Sequence, residues 1–159
     1  MVRGWFLIRV ELISGGGLIL KRPPGRVMLV GPQHTLADLA RAIDLAFARW
    51  DLAHLCEFAF PDGRRYGAPD DEYGDGILDY ARVRAGRVVS KGSTFRYVFD
   101  FGDNWQHRCR VLTTNVDPLE QAGIVPEQPI PVWGWGWIPD QYGRRSEDDS
   151  GEEHEAEQP

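Results

Sequence analysis

The segment from Phe95 to His107, FRYVFDFGDNWQH, constrains the fold of this chain more than any other part of it. Aromatic residues occupy every second position before an Asp-Phe-Gly-Asp turn, and this period of two predicts a β-strand with one apolar face. A three-residue loop from Gly102 to Asn104 keeps the aromatic residues of both strands on one face, whereas a two-residue loop mixes the faces. The segment therefore predicts a hairpin whose aromatic side belongs to a core.

The register of this hairpin follows from the three-residue loop, which pairs Phe101 with Trp105 and Phe99 with His107. The opposite face then carries polar residues, with Arg96 directly opposite Arg110: Arg96, Asp100, Arg108 and Arg110. Facing arginines repel each other unless an anion or a carboxylate lies between them. Asp100 or the acidic stretch 70–79 can supply that carboxylate. The face is then either a solvated, locally neutralised surface or a patch that binds nucleic acid or phosphate.

The rest of the chain predicts an α+β fold. Strands are expected at 5–13, at 18–30 with an interruption at Pro23-Pro24-Gly25, and at 54–60. Thr35, with Asp38 three residues later, has the pattern of a capping box, and it begins an apolar stripe of helical spacing that extends to Trp50. These elements predict a mixed or antiparallel, β-grasp-like sheet with one main packed helix and the aromatic hairpin at its centre.

Length and charge divide the chain into one domain, residues 1–143, and an acidic tail, residues 144–159. The tail holds seven acids against two arginines, so subtracting its charge of −5 from the total of −6 leaves the domain near −1. Such a tail is expected to be disordered, and it could occupy a basic face as a mimic of nucleic acid. The chain has no membrane-span pattern or secretory signal, which predicts a cytoplasmic protein whose Cys56 and Cys109 are buried thiols.

Carboxylate and imidazole side chains near the hairpin suggest a divalent metal site as an alternative, although no cofactor is otherwise indicated. The candidate ligands are His54, Glu57, Asp100, Asp103 and His107. In the predicted register Asp100 and His107 point to opposite faces, which argues against a shared ion. The other interpretation is structural: Asp103 forms the turn, Asp100 pairs with a neighbouring arginine, and His107 is a hydrogen-bonded core residue.

Three tryptophans alternate with glycines near the end of the domain and share one side of any extended segment: Trp133, Trp135 and Trp137. Exposed, the three indoles would form a stacking platform for bases or sugars, or a grip for a peptide. Buried, they would seal an edge of the core, and the four nearby prolines favour this reading because they are typical of a segment laid over a sheet.

Two motifs resemble the plasmid pRiA4b ORF-3-like family. One is the aromatic strand with its Asp100-Phe-Gly102-Asp103-x-Trp105-x-His107 ending, in which Phe99 replaces the usual Tyr, and the other is Trp50-x-x-x-His54-Leu-x-Glu57-Phe. The resemblance covers about residues 5–112 and implies a compact α+β domain. It also implies a place on plasmids and transposons, where some members are described as resolvase-like. The usual Cys-Pro-Pro-Glu-Asp ending is replaced here by VWGWGWIPDQYG, and no recombinase motif is present.

Two functions from different classes follow. The first is a non-catalytic binding module that engages nucleic acid or a protein through Arg96, Arg108, Arg110 and the Trp133 to Trp137 segment. The second is a metal-dependent hydrolase or nuclease centred on the DFGDNWQH hairpin. No nucleophile elbow, phosphate-cradling loop or dinucleotide fingerprint is present, which favours the first. The sequence predicts no particular oligomeric state.

Overall fold

The computed structural model of the protein describes residues 1–69 and 76–143. The acidic stretch from 70 to 75 and the predicted tail from 144 to 159 lie outside the described residues. The strands are Trp5–Gly15 (β1), Leu18–Ile19 (β2), Gly25–Val30 (β3), Cys56–Ala59 (β4), Arg65–Gly67 (β5), Ile77–Asp79 (β6), Thr94–Phe99 (β7), Trp105–Val116 (β8) and Ile130–Trp135 (β9). The helices are Leu36–Ala46 (α1), Ala85–Val88 (α2) and Pro118–Ala122 (α3), with a 3-10 turn at Tyr80–Arg82.

One mixed sheet organises these elements in the order β6-β5-β4-β7-β8-β1-β3-β9, with β2 paired to β1. The β5–β6 pair is parallel and the other described pairs are antiparallel. Helix α1 packs its buried residues on one face of the sheet, together with the aromatic side of the hairpin. The α+β prediction is confirmed and the β7–β8 hairpin is central, while the comparison with a β-grasp stays a prediction.

The predicted hairpin register is wrong by two residues. Phe99 pairs with Trp105 and Tyr97 with His107, so the loop contains the five residues 100–104 instead of three. Because a shift of two preserves which face each side chain occupies, the aromatic residues of the two strands still share the buried face. Phe101 does not, since it lies in the loop and is 43% exposed. The shift does change the facing arginine, because Arg96 lies opposite Arg108.

Asp100 explains the longer loop. It adopts a left-handed conformation with φ of 61°, and its Oδ1 accepts hydrogen bonds from the backbone N–H of Gly102 at 3.1 Å and of Asp103 at 3.4 Å. Aspartate makes such side-chain-capped turns readily. Asp100 is therefore a nearly buried turn residue, and the predictions that it lies on the polar strand face and pairs with an arginine are wrong.

Helix α1 begins with the predicted capping box. The Thr35 Oγ1 accepts from the Asp38 N–H, and the Asp38 Oδ2 accepts from the Thr35 N–H. The helix ends at Ala46, however, and Ala48 is left-handed with φ of 59°. Trp50 therefore does not continue the helical stripe, and it is 47% exposed.

Trp105 joins the hairpin to the rest of the sheet. Its indole packs against the backbone of Gly15, where a Cβ would lie 2.2 Å from the ring. The buried guanidinium of Arg49 lies over the Trp105 ring, 4.3 Å from a ring centroid, and it donates to the carbonyls of Phe47 and Pro139. Cation–π stacking and these hydrogen bonds replace the water that an arginine would lose on burial. Burial lowers the pKa of Arg49 to about 10.

Strand β9 places the tryptophan segment at an edge of the sheet, where it pairs with β3. The prediction that this segment lies across the sheet is therefore wrong. The two cysteines are buried thiols that form no disulfide, as predicted. Among the described helices, none has the length and apolar character needed to cross a membrane.

Replacing Gly15 with alanine should destabilise the protein by about 2 kcal/mol, because the new Cβ would overlap the Trp105 ring and backbone. Urea denaturation followed by tryptophan fluorescence measures this loss. Gly4→Ala is the matched control, since a Cβ added there would lie 3.5 Å from the Asn115 Oδ1, an ordinary contact distance. Equal stability of the two variants would contradict the packing described for Trp105.

Candidate functional site

The exposed side of the sheet collects the basic and aromatic residues. We call this surface the open face; it is formed by the outward side chains of β1, β7, β8 and β9. One row crosses the sheet from Arg96 through Arg108, Glu11 and Gly25 to Trp135. The next row, one pleat along, contains Thr94, Arg110, Arg9, Val27 and Trp133. Because paired residues share a face, both rows lie on one surface, about 19 Å wide from β7 to β9.

The open face is basic. Glu11 lies between two arginines, with its Oε1 3.4 Å from Arg9 Nε and 3.3 Å from Arg108 Nη2. Arg96 and Arg110 are exposed, and neither has a carboxylate within ion-pair distance among the described residues. Glu11, and not Asp100, is thus the carboxylate inserted among the arginines. The face keeps an excess of positive charge that an anion could neutralise.

The tryptophans of β9 border this basic surface. Trp133 is 69% exposed and Trp135 is 37% exposed, so the interpretation that they seal the core is wrong for Trp133. The Trp135 ring lies over Gly25, where a Cβ would be 2.1 Å from it. Trp137 does not continue the row, because the strand ends at Trp135 and Gly136 is left-handed with φ of 83°.

The five candidate metal ligands are not brought together. His107 is fully buried in the core, with Nδ1 3.0 Å from the Tyr97 carbonyl oxygen. Glu57 forms an ion pair with Arg65 on the outward side of the sheet. Only His54 and Asp100 approach each other, at 3.5 Å between Nδ1 and Oδ2. Among residues 1–69 and 76–143, no three His, Cys, Asp or Glu side chains are arranged to hold a metal ion.

The two sequence motifs meet at a polar cluster that we call the motif junction: Asp51, His54, Asp100 and Tyr142. The Tyr142 hydroxyl donates to Asp51 Oδ2 at 2.8 Å and is 2.7 Å from His54 Nε2. His54 Nδ1 faces Asp100 across the hairpin turn. The hydrogen bond to Asp51 raises the pKa of Tyr142 to about 12 and lowers the pKa of Asp51.

The sequence analysis did not identify Gln141 and Tyr142 as contributors to this junction. Gln141 is buried, and its Oε1 accepts from the backbone N–H groups of Trp50 and Asp51 at 3.0 Å each. Trp50 also packs edge-on against Tyr142, with ring centroids 5.1 Å apart. The only available signal was the Asp-Gln-Tyr-Gly run after the tryptophans, which has the composition of an ordinary turn.

His107 is enclosed in the core and is unsuited to proton transfer near neutral pH. It is enclosed by the rings of Phe47 and Tyr97, at centroid distances of 5.2 Å each. Burial lowers its pKa to about 4, because a charged imidazole would lose its hydration there. Its place agrees with the interpretation of a hydrogen-bonded core histidine.

Comparison with known proteins gives the family. The sequence model of the plasmid pRiA4b ORF-3-like protein family matches residues 8–127, which is more than half of the chain. The chain belongs to this family. The match contains Arg96, Arg108, Arg110 and both hairpin strands, and it ends before β9 and its tryptophans.

Two similar proteins are themselves described as uncharacterised or of unknown function. Uncharacterized protein y4hQ of Sinorhizobium fredii (strain NBRC 101917 / NGR234) is 34% identical over 96 residues, which are 54% of this chain and 49% of the relative. The chain thus spans about half the length of that curated relative. The crystal structure of protein of unknown function MM3350 from Methanosarcina mazei Go1 matches with a TM-score of 0.67 and 23% identity, covering 86% of this chain and 72% of the other. That match supports the fold alone.

His107 should remain neutral in the folded protein until the pH falls to about 4, whereas the unfolded chain protonates it near 6.5. Since only the unfolded state gains a proton in that window, this residue should cost about 3 kcal/mol of stability as the pH falls from about 6.5 to 4. NMR of 15N-labelled histidine, in buffer and in urea, measures both titrations. A charged His107 at pH 6 in the folded protein would contradict the described burial.

Proposed function

We propose that this protein is a binding module whose open face engages single-stranded nucleic acid. The observation that carries the proposal is the placement of two exposed indoles and two exposed arginines on one face of the sheet, where the arginines have no carboxylate within ion-pair distance among the described residues. In this proposal the arginines contact phosphates while Trp133 and Trp135 stack on bases. No catalysis is assigned to the module.

The charge of the open face supports an anionic partner. Arg9, Arg96, Arg108 and Arg110 lie on three adjacent strands with Glu11 as the single acid between them in the two rows. Guanidinium groups bind phosphate with two parallel hydrogen bonds and are held here on rigid strands, which lowers the entropic cost of binding. The acidic total charge does not argue against this site, because most of it comes from residues 144–159.

The shape of the face favours a single strand over a duplex. A sheet surface is too broad to enter a groove of B-DNA, but it can support unstacked bases on exposed aromatic side chains. Trp133 and Trp135 are two residues apart on one strand, so their Cα atoms lie about 7 Å apart and their side chains leave the strand on the same side. Stacking on aromatic rings tolerates any base, so this arrangement predicts weak sequence preference.

The arginines can be tested by the double charge reversal Arg96→Glu/Arg110→Glu. Neither side chain makes an ion pair in the described structure, so the fold should tolerate the change, and affinity for a fluorescent 12-nucleotide strand should fall at least tenfold. The wild-type affinity should also fall with salt, with a logarithmic slope of about −3 for four phosphate contacts. Anisotropy titrations at several salt concentrations measure both quantities.

The matched control for these arginines is Arg84→Glu/Arg87→Glu, which changes the charge equally away from the open face. An equal loss in both double variants would show generic attraction and remove the open face as the site. Failure of the wild type to bind single strands at low salt would overturn the proposal and favour a protein partner.

The tryptophans are tested separately by Trp133→Ala. This side chain is 69% exposed, so its removal should leave stability unchanged and reduce single-strand affinity about tenfold, the size of one lost stacking contact. Trp50→Ala removes a partly exposed tryptophan at the motif junction and should not change affinity. Unchanged binding by Trp133→Ala would restrict the site to the arginines.

A further inference from the structure

A second candidate site lies on the helix side of the sheet, away from the open face. A cleft of about 320 Å³ opens between α1, the segment before β4 and the 3-10 turn. Its walls include Asp44, Leu52, His54, Cys56, Tyr80 and Phe99. The cleft borders the motif junction through His54, but the chemistry at its floor is different.

The floor of the cleft holds a carboxylate with too few hydrogen-bond donors. Asp44 is 5% exposed, and the single hydroxyl proton of Tyr97 is the donor within reach of both carboxylate oxygens, at 2.9 and 3.0 Å. That hydroxyl also lies 3.4 Å from the Ala40 carbonyl oxygen. No cationic side chain of the described residues lies within ion-pair distance of Asp44. A carboxylate can accept about four hydrogen bonds, so among the described residues Asp44 has fewer donors than an ionised carboxylate can use.

Burial raises the pKa of Asp44 to about 8. The side chain is therefore mostly neutral near pH 7 when no cation is bound. A group of this kind gains a large stabilisation when a positive charge enters the cleft, since both desolvation and the missing donors are then compensated. The lining suits an organic cation, because the aromatic residues Tyr80 and Phe99 and the apolar residue Leu52 border the cleft.

A metal ion fits this cleft less well. Burial raises the pKa of the Cys56 thiol to about 11, so it stays protonated and is a poor ligand. No group of three His, Cys, Asp or Glu side chains within the described ranges is arranged for a metal. The cleft instead holds two carboxylates, Asp38 and Asp44, against one arginine, Arg41, beside aromatic rings, and this composition suits an amine.

We propose that the cleft binds a small organic cation, with an ammonium or guanidinium group against the Asp44 carboxylate and an aliphatic chain along Phe99 and Leu52. The proposal is independent of nucleic-acid binding by the open face. Binding converts Asp44 to its ionised form and releases its proton, so the cation should bind more tightly as the pH rises toward 8. The other titratable or charged groups around Asp44 are Asp38, Arg41, Arg49, His54, Cys56, Tyr80 and Tyr97.

The experiment is an NMR titration of the 15N-labelled full chain with n-butylammonium chloride at pH 6.5 and 8.5, with 1-butanol as the neutral probe of equal chain length. We expect shifts at the cleft residues, and about 20-fold weaker binding at pH 6.5 because little Asp44 is then ionised. The amine itself stays charged at both values. Equal affinity for 1-butanol, or no binding of the cation at pH 8.5, would overturn the proposal.

Asp44→Asn provides the matched variant. The amide keeps the size of the side chain and can still accept from Tyr97, so the fold should survive, but cation affinity at pH 8.5 should fall at least tenfold. Asp62→Asn changes an exposed acid outside the cleft and should leave affinity unchanged. If Asp44→Asn kept its affinity for the cation, Asp44 would not be the group that binds it. The comparison of the cation with 1-butanol in the wild type decides the question even if that variant does not fold.

Discussion

The alternation of side chains along β7 and β8 is the constraint on which the rest of the structure depends. On one side of these strands, Tyr97, Phe99 and His107 belong to the core under α1, and on the other side Arg96 and Arg108 face outward. A slip of one residue would bury the arginines and expose the rings, which costs far more than the whole stability of a domain of this size. Burial of the aromatic side therefore secures the position of the basic side.

The residues of the two sequence motifs mainly stabilise the hairpin and its packing in the core. Asp100 closes the hairpin turn, Trp105 packs against Gly15 and under Arg49, and His107 fills the space below Phe47. A polar or aromatic residue in a recurrent motif invites a catalytic interpretation, but each of these side chains has a structural role here. Asp100 makes hydrogen bonds, Trp105 packs in the core, and His107 does both. His54 is different, since it is partly exposed and joins the motif junction to the cleft beside α1.

The two proposed sites use opposite sides of one sheet and opposite charges. The open face is a rigid, exposed surface with excess arginine, suited to a long anionic partner. The cleft is small and holds an under-bonded carboxylate beneath aromatic walls, suited to a small cation. The sheet separates them by one layer, so each can be tested without disturbing the other.

The sequence by itself determined the local features: the period-two aromatic strand, the Thr35–Asp38 capping box of α1, the buried cysteines and the arginines of the polar strand face. These local features depend on residues close in sequence and on which side chains are buried, and the periodic pattern of apolar residues indicates both. Tertiary structure decided the hairpin register, because the Asp100 turn absorbs two extra residues without changing faces. It also decided the exposure of Trp133, the ion pairing of Glu11 and the joining of Tyr142 to His54, since each depends on which distant strand or segment lies alongside. No local pattern contains that information.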